Sequence, residues 1–108
     1  MATNPSPRPR AAATFTVDAA TVTGDIGPAV ANDTIDWDNT SGSSVSIEVS
    51  AVNGYYPFAT NSFTIPAGLS HTSTVLASAP AADYPYGRNG TAGIGHIVVQ
   101  QGMPKRGR

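Results

Sequence analysis

The sequence predicts an all-β fold, a single Greek-key β-sandwich of about seven to eight strands with extended N- and C-terminal arms. Three observations predict it. Apolar residues recur at every second position in several short runs, the period of a half-buried strand. Nine prolines and eleven glycines punctuate those runs at intervals of roughly ten residues, as sandwiches and barrels require. No window shows the roughly 3.6-residue spacing of an amphipathic helix. A chain of 108 residues has room for one hydrophobic core. It divides into a Pro/Arg-rich arm over 1–12, a sandwich domain over 13–101 and a basic tail over 102–108.

The elements follow in order. Pro5, Pro7 and Pro9 make the first segment an extended arm. Phe15 and Val17 alternate with Thr14, Thr16 and Asp18, a first strand, and Thr21–Thr23 reads as a short second one. Gly24, Gly27 and Pro28 then break the pattern. Ile35 and Trp37 share one face of Thr34–Asp38. The polar loop 39–44 leads to Val45, Ile47, Val49 and Ala51, spaced two apart with Ser46, Glu48 and Ser50 between. Asn53-Gly54 signals a tight turn into Tyr55–Phe58. Phe63 and Ile65 mark another strand, and Leu69, His71, Ser73, Val75 and Ala77 alternate through the next. Glycines between Gly87 and Gly95 read as turn chemistry, and Tyr84, Tyr86 and 97–99 close the domain.

Only 12% of the residues are charged, about half the usual share, and Ser and Thr fill the polar surface instead. The net charge of −1 hides a separation. Arg8 and Arg10 lie in one arm; Lys105, Arg106 and Arg108 lie in the other. Between them Arg88 stands against Asp18, Asp25, Asp33, Asp36, Asp38, Glu48 and Asp83. The arms are basic and the body acidic, so the arms suit a neighbouring copy's body or a phosphate-rich surface, with two solvated ends as the competing reading. Five cations give too small a counterion-release contribution for nucleic-acid binding. The absence of cysteine removes disulfides, thiolate metal sites and cysteine nucleophiles. No run approaches the roughly 20 apolar residues of a membrane span. Met1–Arg10 lacks the apolar stretch of an export signal, which favours a virion or a cytoplasmic assembly and leaves an exported mature chain open.

The run Asn32-Asp33-Thr34-Ile35-Asp36-Trp37-Asp38-Asn39 resembles a strand of the cupredoxins, the blue-copper sandwiches. Phe63-Thr64-Ile65-Pro66-Ala67-Gly68 resembles their following hairpin, and Tyr84-Pro85-Tyr86 with Gly95-His96-Ile97-Val98-Val99 resembles their end. The resemblance covers roughly residues 30–100 and implies a cupredoxin-like fold, with an immunoglobulin-like sandwich as the competing architecture. Cupredoxins hold copper with Cys, two His and a weak axial Met. In this chain those positions read Val45, Arg88, Thr91 and Ile94. Thiolate, imidazole and thioether are all missing, and a guanidinium stands where the thiolate would be. The resemblance thus implies the architecture without copper electron transfer.

His71 and His96 show no ligand spacing. Asp33, Asp36 and Asp38 could coordinate calcium, but the pair sharing a strand face reads better as a solvated outer surface. Ser–His–Asp, phosphate-loop and HExxH patterns are absent, so no catalytic residue, cofactor or metal is expected. The Asn-X-Ser/Thr matches at Asn32, Asn39 and Asn89 carry no assigned role. Tyr55, Tyr56 and Phe58 make the best contact patch in the body, because aromatic residues anchor interfaces. These three, with Arg8, Arg10, Lys105, Arg106 and Arg108, are the candidate interaction residues. The expected role is a non-catalytic module docked through its arms onto a larger assembly, such as a viral or phage capsid, with proteins or its own copies as partners. The alternative is an accessory or adhesion-type binding subunit.

Overall fold

Period-two alternation places large apolar side chains on one face of each strand, and burying those faces brings two sheets together. The computed structural model describes residues 12–101. Within them run β1 (Thr14–Asp18), β2 (Ile26–Ala29), β3 (Thr34–Asp38), β4 (Val45–Val49), β5 (Ser62–Ile65), β6 (Ser70–Thr74), β7 (Ala82–Arg88) and β8 (Thr91–Val99). One sheet has the order β1-β3-β6, the other β2-β8-β7-β4-β5. The chain is an all-β sandwich. β1 pairs parallel to β3, and β2 parallel to β8; the remaining pairs are antiparallel.

The core lies between the sheets. Ile35 and Trp37 of β3, Val45, Ile47 and Val49 of β4, Tyr84 and Tyr86 of β7, and Ile97 and Val99 of β8 are all buried there. Trp37 sits at its centre, with ring centroids 5.7 Å from both Phe63 and Tyr86. Its indole N–H donates to the buried Ser73 hydroxyl at 3.0 Å, which meets the requirement that a buried donor find a partner. Phe63 is stacked in turn by His71, 3.9 Å away.

Two buried polar side chains fasten the loops. The Asp33 carboxylate accepts the backbone N–H groups of Ala13 and Val30, at 2.9 and 3.0 Å. Asn39 donates its amide to the carbonyls of Ser43 and Ile65 and accepts from Ser41. Asp33 thereby holds two loop N–H groups, and Asn39 ties its own loop to the end of β5.

The second strand is not where alternation placed it. Thr21–Thr23 lies in a turn, with the Thr21 and Val22 N–H groups both donating to the Asp18 carbonyl. The strand forms instead at Ile26–Ala29, across the Gly27–Pro28 pair that reads as a break. Ile26 and Ala29 bury their side chains while Gly27 and Pro28 stay exposed. The position is an edge, where a missing proline N–H costs no ladder bond, and its register to β8 shifts between Ile26 and Ala29. Gly27 has φ +123, and a Cβ there would stand 2.6 Å from the Val98 carbonyl oxygen.

Two other boundaries differ from expectation. Leu69 lies outside β6 and is 57% exposed, because the strand begins at Ser70 after the Gly68 turn; Ala77 is exposed past its other end. The Gly87–Gly95 stretch is mostly strand, with only Asn89-Gly90 in the turn between β7 and β8. Its glycines serve close approach as well as turning: a Cβ on Gly95 would overlap the backbone of Gly24.

Candidate interaction surface

β4 runs out at Val49, and the chain leaves the sheet edge in a short excursion before returning as β5. Asn53-Gly54 reverses it, with φ of 52 and 83, and the Val52 and Tyr55 backbones exchange two hydrogen bonds of 2.9 Å. This is the two-residue turn that Asn-Gly favours. It throws Tyr55 and Tyr56 outward, 55% and 47% exposed. Phe58 is only 2% exposed, so it belongs to the core and is withdrawn from the contact patch. The Asn61 amide holds it inward, accepting the Phe58 N–H at 3.2 Å and donating to the Phe58 carbonyl at 2.6 Å.

Tyr56 forms one wall of an open groove of about 350 Å³, completed by Glu48, Ser50, Ala51, Asn61 and Ser62. That size lies at the low end of small-ligand sites, roughly 300–1,000 Å³. Its lining offers one aromatic ring, one carboxylate and several hydroxyl and amide groups. Such a surface can accept a partner's apolar edge beside hydrogen-bond donors. A second hollow of about 240 Å³ follows the outer edge of β6 beside Phe58, Thr60, His71 and Leu76.

No family model, curated protein or solved structure matches this chain. The four positions that the cupredoxin resemblance sets against copper ligands lie on successive strands of one sheet: Val45 is buried on β4, Arg88 of β7 pairs with Thr91 of β8 across the hairpin, and Ile94 of β8 is half-buried. Arg88 is the sole lysine or arginine among the described residues, and it turns inward. Its guanidinium donates to the Val22 carbonyl at 2.6 Å and reaches that of Ala19 at 3.5 Å. The Tyr86 hydroxyl donates to the Gly24 carbonyl at 2.9 Å. Together they bind the 19–24 segment to the end of β7, a role hidden in the sequence because all three acceptors are backbone atoms about 60 to 70 residues away.

The acidic run is split by its strand. Asp33 is buried, while Asp36 and Asp38 lie on the outer face of β3, accepting the Thr72 and Ser70 hydroxyls at 3.0 and 2.7 Å. Asp18 lies beside Asp38 in the ladder and accepts the Thr40 hydroxyl at 2.7 Å. That bond, with the Ala20 N–H, holds its carboxyl below the usual carboxylate value. The outward positions of the sheet are Thr14, Thr16 and Asp18, then Thr34, Asp36 and Asp38, then Thr74, Thr72 and Ser70, facing one another in register. His96 of β8 meets Asp25, the residue before β2, at 3.2 Å, and both side chains are exposed. Burial pulls the His71 ring below its ordinary value and pushes the Tyr84 and Tyr86 hydroxyls up. No group of three or more His, Cys, Asp or Glu side chains close enough to hold a metal ion occurs among the described residues. Arg8, Arg10, Lys105, Arg106 and Arg108 lie outside those residues.

Proposed function

We propose that this chain is a non-catalytic assembly module, a copper-free cupredoxin-like sandwich docked through its two basic arms onto a larger assembly such as a viral or phage capsid. The observation that supports this reading is the fate of Arg88. Its guanidinium is spent on the Val22 and Ala19 carbonyls, and every other lysine and arginine of the sequence falls in the two terminal segments. The body's outer sheet face, by contrast, carries Asp18, Asp36 and Asp38 among hydroxyls. Charge is thus divided between basic terminal segments and an acidic sheet face, an arrangement suited to docking on neighbouring copies. Tyr55 and Tyr56 supply a second contact on the body.

The test compares the full chain with versions lacking residues 1–12 or 103–108. Both truncations are expected to keep the melting temperature of the full chain and to lose co-purification with the native particle. Recovery of either truncation in the particle at full-chain stoichiometry would refute the arm-docking role. The alternative, an accessory or adhesion-type subunit, draws on the groove beside Tyr56. It is favoured if the native protein is isolated as a free monomer whose partner binding is abolished by Tyr56→Ser and survives both truncations.

A further inference from the structure

We infer that Asn53-Gly54 is a site of spontaneous backbone rearrangement, at which the asparagine converts to aspartate and isoaspartate while the other Asn-Gly pair, Asn89-Gly90, is protected. The inference is independent of the proposed assembly role. Both pairs have the reacting groups: a side-chain amide separated from Cα by a single methylene, and a following residue without a Cβ to hinder approach of its nitrogen. The Gly54 nitrogen attacks Cγ of Asn53, forming an N–C bond. The Cγ–Nδ2 bond breaks, and ammonia leaves with the proton that the Gly54 nitrogen gives up. Water then opens the five-membered ring. Attack at Cγ yields aspartate; attack at the α-carbonyl yields isoaspartate, whose main chain runs through the former side chain. No oxidant or second reactant other than water is consumed.

Both asparagines are exposed and both are held in the left-handed region, at φ 52 and φ 50. Folded geometry at the residue therefore does not separate them, and the reaction proceeds from locally opened states. What opening must break does separate them. At Asn53 it breaks the two hydrogen bonds between Val52 and Tyr55, an isolated bridge outside any strand. No side-chain hydrogen bond holds Asn53 among the described residues. At Asn89 the side-chain oxygen accepts the Ser46 N–H at 2.8 Å, and the Asn89 N–H donates to the Ser46 carbonyl at 2.8 Å. The turn therefore sits on β4 as well as between β7 and β8. The product at position 53 carries a new negative charge and, as isoaspartate, an added main-chain atom beside Tyr55 and Tyr56.

The experiment ages the full-length chain in mildly alkaline buffer at physiological temperature and quantifies both sites by peptide mapping, with electron-transfer fragmentation to distinguish isoaspartate. Conversion at Asn53 is expected to run at least about tenfold faster than at Asn89, the ratio that a 1.4 kcal/mol difference in opening produces. In concentrated urea the two rates should converge, because both sites are then Asn-Gly dipeptides freed of folded contacts and differ only in their flanks, Val52 and Tyr55 against Arg88 and Thr91. Asn53→Gln should abolish the fast release of ammonia and leave the slow one. Equal rates in the folded chain, faster conversion at Asn89, or a ratio that persists in urea would each overturn the inference.

Discussion

The two Asn-Gly turns have nearly the same backbone, Asn53 and Gly54 at φ 52 and 83, Asn89 and Gly90 at φ 50 and 86. One joins β7 to β8, the longest strands among the described residues, which pair from Ala82 and Val99 to Tyr86 and Gly95 and, past a register shift, again at Arg88 and Thr91 beside the turn. The other supports a single bridge between Val52 and Tyr55. The difference lies in what the flanking residues can bury. Tyr84, Tyr86, Ile97 and Val99 put four side chains into the core across the first hairpin. Beside the second, Ala51 and Val52 are half-buried and Tyr55 and Tyr56 are turned out. A local turn preference can reverse a chain, but a ladder grows only where burial of both strands offsets the entropy of ordering them.

The largest expected effect comes from forcing both turns to abandon the left-handed region. Asn89→Ala with Gly90→Ala should lower stability by about 2–4 kcal/mol, from strain of roughly 1–2 kcal/mol per left-handed residue and loss of the acceptor for the Ser46 N–H. Asn53→Ala with Gly54→Ala introduces the same strain but can relieve it by opening the isolated bridge. Its expected cost is below about 1 kcal/mol, bounded by the low free energy of local opening. Urea midpoints decide between them; equal losses would mean that the Tyr55 turn is coupled to the core after all.

A smaller effect separates the turns in time. By hydrogen exchange, the Ser46 and Asn89 amides should be protected to near the global unfolding limit, and the Val52 and Tyr55 amides should exchange through local opening. Acidification should leave that ordering intact. Burial lowers the proton affinity of folded His71, so the unfolded chain binds more protons in this range. Stability is therefore full above about pH 6.5, the ordinary histidine value, and falls as pH drops from there toward the lower folded-state value. The fall should vanish in His71→Gln. The smallest effect is expected at the exposed rings: Tyr55→Ser and Tyr56→Ser should each shift stability by less than about 0.5 kcal/mol, read as an unchanged thermal midpoint.

Much of the sandwich was legible where one face of a strand is wet. Thr34–Asp38 and Val45–Val49 show clean alternation, and their buried faces match it residue for residue. Ile26–Ala29 was illegible because its signals, Gly27 and Pro28, are those of a break; only its place at a sheet edge makes them tolerable. In the candidate surface the aromatic cluster was visible but not its division. Tyr55, Tyr56 and Phe58 look alike in sequence, and the partner that turns Phe58 inward, Asn61, is a polar residue in a loop. Arg88 was noticed as the sole cation of the body, yet its two carbonyl acceptors leave no mark on residue identity.

The order in which the chain visits its sheets has a consequence for dividing it. Strands β1 and β3 lie in one sheet, β2 and β4 in the other; after the Asn53-Gly54 turn, β6 returns to the first sheet and β5, β7 and β8 complete the second. Each half thus holds strands of both layers but a complete layer of neither, and β4 lies between β7 and β5 from the opposite half. A chain severed at that turn yields two pieces that can acquire their shape only in each other's presence. The turn held by a single isolated bridge is therefore also the seam at which the molecule could be made into a two-part lock.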